Sequence, residues 1–296
     1  MKALIGLLAI WLSLASAISQ AAPYQSREEQ LQSIKTIYAA YKAARMAAIA
    51  GPNLISVPNQ ARFNLPASTV FIPKNDVNHL LKAIKANPSD MVVGAILPED
   101  ESNPWAIEIR FNPFGYISEK DSAQIHSTTF MNEMKDAFIK ASAQHAGIQI
   151  MFNKWVMPPA YDPTKHRLEF SFDVRSIGLQ DEQFFIAGAV LLGREGGTAL
   201  VMHAKYAEMA KAQAVFRQIL DGWTYLPKKR YEDYNFLFDR AASIDNVNWG
   251  LEGTYDAKRD ESVSENLSNM PRILLIVMIA LAGIVFTVIR RLKPKD

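Results

Sequence analysis

From Ile273 to Ile289 the chain carries neither a charge nor a proline. At an α-helical rise these 17 residues extend roughly 25 Å, the short end of a bilayer crossing. Arg290, Arg291, Lys293 and Lys295 follow directly, and positive charge marks the cytoplasmic side of a span. At the other end Met1-Lys2 precedes an apolar run from Ala3 to Ala15, too short to cross comfortably. With the small residues Ala15-Ser16-Ala17 or Ser19-Gln20-Ala21 behind it, this run has the form of a secretory signal peptide cleaved near Ala22. The two ends agree on one topology: a signal peptide over 1–21, an N-terminal helix over 22–52 and an outside domain over 53–255. A tether over 256–270, one membrane helix over 271–290 and an inside tail over 291–296 complete it. Asp256–Ser268 is acidic and polar with little to bury, which suits the tether.

The formal charge of +2 conceals an asymmetry. Six of the 32 basic residues lie at the two ends, leaving 26 basic against 29 acidic residues between them. A bulk nucleic-acid binder is expected to be basic there, so nucleic acid is not an expected partner. The chain contains no cysteine, which removes disulfides, thiol nucleophiles and cysteine metal sites together.

Within the outside domain, Ser26-Arg27-Glu28-Glu29 has the pattern of a capping box opening a helix that Gly51-Pro52 ends. Its apolar stripe is Leu31, Ile34, Tyr38 and Tyr41. Short strands are expected around Leu54–Val57, Arg62–Leu65 and Val70–Ile72, and a helix from Asp76 to the stop at Asn87-Pro88. Val92–Leu97 is a short apolar strand. Trp105–Phe111 alternates, with Glu108 and Arg110 opposite Trp105, Ile107 and Ile109, which predicts a strand covered on one face only. A helix is expected over Thr129–His145. Arg167–Val174 alternates again, and Phe184–Leu192 is apolar throughout, as in a central strand. Gly193-Arg194-Glu195-Gly196-Gly197 turns the chain into Thr198–Ala204. A helix over Tyr206–Leu220 and a strand at Trp223–Leu226 follow. Hairpin-linked alternating strands with interspersed helices predict an α+β fold, an antiparallel sheet packed by helices.

Chemistry is scarce. The five histidines form neither HExxH nor HxH, the Gly193–Gly197 run lacks the Lys-Ser/Thr of a P-loop, and no G-x-S-x-G elbow occurs. No catalytic, cofactor-binding or metal-ligating residue is therefore assigned, and no cofactor is expected. One polar cluster stands out: Trp155, Tyr161, Asp162, His166 and Arg167, with Arg194 beyond. An Asp could orient a His four residues on, and a base with an arginine is a minimum for acid–base work. Against this, Asp162-Pro163 is a turn signal, and a hydrogen bond from His166 to the turn carboxylate would order the loop. A second feature is Lys228-Lys229-Arg230 among Trp223, Tyr225, Tyr231, Tyr234, Phe236 and Phe238. It suits anionic lipid headgroups, or is a solvated turn after a strand.

Several motifs keep their order along the domain. They are the acidic loop Glu99-Asp100-Glu101 before Trp105, Gly115-Tyr116-Ile117, Asp121-Ser122-Ala123, Trp155 with Pro159, Tyr161-Asp162, His166-Arg167-Leu168, and Leu192-Gly193-Arg194 with Gly196. On these residues the stretch from about Leu54 to Gly253 resembles a bacterial family of uncharacterised membrane-anchored proteins, domain-of-unknown-function family 2167. The resemblance implies the topology above, in the bacterial inner membrane with the main domain in the periplasm, and implies no activity. The ending, central strand, turn, strand, helix Tyr206–Leu220 and Trp223–Tyr225, is similar to that of PsbP-type domains. The expected function is thus a non-catalytic binding or assembly module of the bacterial envelope, with the membrane and an envelope protein as partners. The alternatives are an envelope hydrolase using Asp162, His166 and an arginine, and a domain contacting lipid headgroups through Lys228, Lys229 and Arg230.

Overall fold

The alternating segments pair into one large antiparallel sheet. The computed structural model describes residues 27–83, 88–102, 105–122, 128, 131–132, 135, 149–177 and 183–242. The signal-peptide, tether, membrane-helix and tail expectations lie outside these residues, as does Ser26 of the capping box. Of the helix expected over Thr129–His145, only Met131, Asn132 and Lys135 are described, and they are helical. Among the described residues no helix is long and apolar enough to cross a membrane.

Helix α1 (Arg27–Met46) leads into β1 (Ile49–Ala50), β2 (Asn53–Val57), β3 (Ala61–Leu65) and β4 (Thr69–Pro73). Helix α2 (Lys74–Ala83) precedes β5 (Val92–Pro98), β6 (Trp105–Asn112) and a single turn, α3 (Glu119–Ser122). Then come β7 (Gln149–Asp162), β8 (Arg167–Ile177), β9 (Gln183–Leu192), β10 (Gly197–Lys205), α4 (Met209–Asp221) and β11 (Thr224–Tyr225). Eight strands form one sheet in the order β1-β4-β5-β6-β10-β9-β8-β7, and β11-β3-β2 form a second. The expected elements that fall on described residues are present with bounds shifted by a few residues, except that the first helix stops at Met46 and the strand β1 takes up Ile49–Ala50; the turn α3 and β7, 14 residues long, are additions. The Pro158-Pro159 of β7 and its three register shifts against β8 are tolerated because it is the outermost strand, where missing donors and bulges do least harm.

The main core lies between the two sheets and α4. Phe63 and Leu65 of β3 and Phe216 and Ile219 of α4 meet Ile107 of β6 and Phe185 of β9, all buried. Phe63 stacks on Trp223 with ring centroids 5.2 Å apart. On the opposite face α1 and α2 cover β4 and β5 through Tyr41, Ala44, Val77, Leu80 and Leu81. Arg45 clamps the end of α1 to the end of β5, donating to the carbonyls of Pro98 at 2.7 Å and Glu99 at 2.8 Å.

One expectation is corrected here. β6 is covered on both faces: Glu108 and Arg110 are only 5% and 3% exposed. The alternation correctly separates the two sets of side chains, but a second layer encloses the polar set as well. Glu108 lies opposite Ala95 of β5 and Val201 of β10, and Arg110 opposite Val92 of β5 and Ala199 of β10. The two side chains pair with each other, and their cross-strand neighbours are alanine and valine.

Candidate functional site

The β7–β8 hairpin closes at the Asp162–Arg167 pair, and the turn between them decides where the polar cluster goes. The Asp162 carboxylate Oδ1 accepts from the Thr164 hydroxyl at 2.6 Å and from the backbone N–H groups of Thr164 and Lys165 at 2.9 and 3.3 Å. These bonds, the Thr164 hydroxyl first, hold its carboxyl below the usual range. The loop is thus ordered by Asp162 acting on the backbone, an Asx turn, with no bond from His166. His166 itself takes a left-handed backbone, φ 46°, and its carbonyl accepts from the Leu192 N–H at 2.8 Å, which ties the turn to the end of β9.

The His166 ring lands in a nest of tyrosines. It stacks on Tyr231 with centroids 3.9 Å apart, and its Nδ1 lies 3.4 Å from the Tyr161 hydroxyl and 3.9 Å from Glu119 Oε1. Tyr231 donates to the Ile117 carbonyl at 2.7 Å. Tyr116 packs on Tyr231 at 4.6 Å and on Tyr234 at 3.8 Å. Burial, the larger cause in both, pushes the phenols of Tyr161 and Tyr231 up, so both stay neutral. The nearby hydroxyls are committed: Ser122 donates to the Ser118 carbonyl at 3.0 Å and Ser118 to Asp121 at 2.7 Å.

The remaining members of the expected cluster go elsewhere. Trp155 packs edge-on to Phe152 and Phe172 along the β7–β8 ribbon. Arg167 is buried, pairs with Glu169 at 2.6 Å and reaches Asp221 at the end of α4 at 3.7 Å. Arg194 makes a two-pronged pair with Asp239 at 2.7 and 2.8 Å and donates to the Lys228 carbonyl at 3.3 Å. Among the described residues, no contact joins His166 to Asp162 or to Arg194. Of the partners that His166 does have, Tyr161 is a near neighbour from the expected cluster, whereas Tyr231 and Glu119 are distant in sequence and no local spacing announces them.

The basic run is likewise divided. Lys229 meets both oxygens of Glu195 at 2.6 Å and holds that carboxyl below its usual range. Arg230 lies 3.9 Å from Glu232. Lys228, left-handed at φ 70°, is exposed.

Two features take a form in the structure that the sequence reading did not give them. The first is the Glu108–Arg110 pair, in which Arg110 Nη2 meets Glu108 Oε1 while Arg110 Nε and Nη1 have no hydrogen-bond partner. Burial, more than the opposing pull of Glu108, lowers the Arg110 pKa. Its only sequence signal is two opposite charges at strand spacing, which equally fits a solvated face. The second is Phe236-Leu237-Phe238, exposed at 78%, 67% and 82%. Among the described residues, no group of three or more His, Asp or Glu could hold a metal ion.

The family model described as "Protein of unknown function (DUF2167)" matches residues 49–257 of the chain. Comparison with the curated proteins finds no match. Among solved structures, the solution structure of cyanobacterial PsbP (CyanoP) from Synechocystis sp. PCC 6803 is similar over 60% of this chain and 95% of that one. The identity is 8% and the TM-score 0.38.

Proposed function

The chain belongs to the DUF2167 family, and on that premise we propose that it is a membrane-anchored, periplasm-facing module of the bacterial envelope that binds or assembles and performs no catalysis. The observation that carries this reading is the commitment of the polar cluster to the fold. Asp162 is used by its own turn, Arg194 by Asp239 and Arg167 by Glu169. Acid–base catalysis needs a base, its orienting partner and a nucleophile within reach of one reacting atom. Among the described residues, His166 has the Tyr161 phenol and Glu119 beside it, and the neighbouring serine hydroxyls of Ser118 and Ser122 are bonded elsewhere, which favours the non-catalytic reading over the hydrolase alternative. The sequence supports the anchoring half: the uncharged run Ile273–Ile289 with its basic tail, paired with the leader-like first 21 residues.

Reporter fusions in cells test both halves together. A reporter active only outside the cytoplasm should work when fused after Ser262 and be silent when fused after Asp296. In the unfused chain, His166→Ala should retain the cellular phenotype, and crosslinking in native membranes should capture a discrete partner. A reversed reporter pattern overturns the topology. Loss of phenotype in His166→Ala at unchanged expression and stability overturns the non-catalytic reading.

A further inference from the structure

Phe236, Leu237 and Phe238 are among the most exposed large apolar side chains described, at 78%, 67% and 82%. They are not a frayed end. The Asn235 carboxamide oxygen accepts from the Leu237 N–H at 3.0 Å, and the Asn235 carbonyl accepts from Phe238 and Asp239. Asp239 Oδ2 in turn accepts from the Asn235 N–H at 2.7 Å while both its oxygens take the Arg194 guanidinium. On one side Tyr234 is stacked on Tyr116; on the other, Tyr116 and Ala242 are joined by a backbone bond of 2.7 Å. The turn is therefore a rigid knuckle, built so that three apolar side chains face water. The guanidinium that holds Asp239 also donates to the Lys228 carbonyl, which sets the exposed Lys228 beside the knuckle. Arg240, also exposed, adjoins it in sequence.

We propose that this knuckle docks the domain on the surface of the bilayer, with Phe236, Leu237 and Phe238 inserted among the headgroups and Lys228 and Arg240 at the anionic rim. The inference rests on the anchored topology proposed above, and two arguments favour lipid over protein as the occupant. The first is position. Residues 243–272 separate the knuckle from the uncharged run that begins at Ile273, so it can stand at most about 100 Å from that run however the chain between is arranged. Tethering of that kind gives a weak interfacial contact a high effective concentration. The second is size. Three side chains of this kind, each offering ~150–250 Å² and mostly exposed, amount to roughly 400 Å², about half of what one partner contributes to a standard protein interface. Shallow insertion of aromatic and aliphatic side chains flanked by cations needs no larger area.

The chain has no cysteine, so Leu237→Cys offers a single attachment point for a nitroxide label. The full-length protein is reconstituted into vesicles of phosphatidylethanolamine and phosphatidylglycerol, and collision with oxygen is compared with collision with a water-soluble nickel chelate. The oxygen preference should be several-fold higher at position 237 than in a control chain labelled through Ala214→Cys on the exposed face of α4. Adding Phe236→Ser and Phe238→Ser, both at exposed positions, should collapse that preference while the protein still floats with alkali-washed vesicles. A label at 237 as water-accessible as the control overturns the proposal. So does a label shielded from both reagents, which would indicate a protein partner or a second copy, and so does a preference that survives the serine pair. Flotation separates the two readings: protein lost from washed vesicles refutes the anchor, whereas a floating protein with a hydrated 237 refutes only the docking.

Discussion

The Glu108–Arg110 pair is the place where an intuitive substitution and its effect should part company. Both side chains are almost fully enclosed, at 5% and 3% exposure, and Nε and Nη1 of Arg110 lack hydrogen-bond partners. The favourable contact is the pairing itself; the desolvation of both ions opposes it. Glu108→Leu alone leaves the Arg110 cation buried without its counter-charge, and Arg110→Met alone strands the carboxylate. Each should cost about 3–5 kcal/mol. For a domain of this size that corresponds to a melting temperature lower by about 6–20 °C. The double variant Glu108→Leu/Arg110→Met removes both charges and presents apolar side chains to Ala95 and Ala199 on the adjacent strands and to Ala106 two residues earlier on β6 itself. It should be neutral or more stable than the parent by about 1–4 kcal/mol. The assay is urea and thermal unfolding of the detergent-solubilised full chain, followed by the fluorescence of the buried Trp105 and Trp223. The coupling between the two substitutions should then exceed either single loss. If the double variant falls as far as the worse single, the pair's worth is not mutual neutralisation, and its spare donors serve something an apolar pair cannot replace.

A methyl group on Gly188 of β9 would stand 2.0 Å from Cζ of Phe170 across the strand; Gly188→Ala should lower stability by about 1–3 kcal/mol, and adding Phe170→Leu should restore most of it in the same urea series. An unchanged midpoint for the single variant would mean that the ring is not where the packing requires it. Burial also pushes the His203 imidazole down to about 3, so the unfolded chain takes up a proton near pH 6.5 that the folded chain refuses. Stability is therefore full above that pH and declines as pH falls towards 3, by ~2 kcal/mol at pH 5. His203→Gln should flatten the dependence of the urea midpoint on pH between 7 and 5, and an unaltered slope would show that other groups set it.

What the amino-acid order determined by itself was local. Two-residue alternation in Trp105–Phe111 and Arg167–Val174 and a glycine-rich turn at Gly193–Gly197 define strands and a hairpin, because side-chain direction along a strand and the turn between two strands depend on neighbours within a few residues. The same holds for Asp162-Pro163, whose carboxylate folds back on the next two N–H groups. Tertiary structure decided everything that needs a second layer. Glu108 and Arg110 carry the pattern of a wetted face, and only the covering of that face turns them into a buried pair. His166 read as a partner for Asp162, four residues away; the chain instead returns through Tyr231, and stacking on that ring outweighs a bond the turn had already claimed. Lys229 and Arg194 looked like free cations until Glu195 and Asp239 were brought to them. Phe236-Leu237-Phe238 has the composition of core, and it stands in water because the bonds of Asn235 and Asp239 fix the backbone of the turn outward. Pattern specifies which way a side chain points relative to its neighbours, and only the packing of distant segments specifies what it meets there.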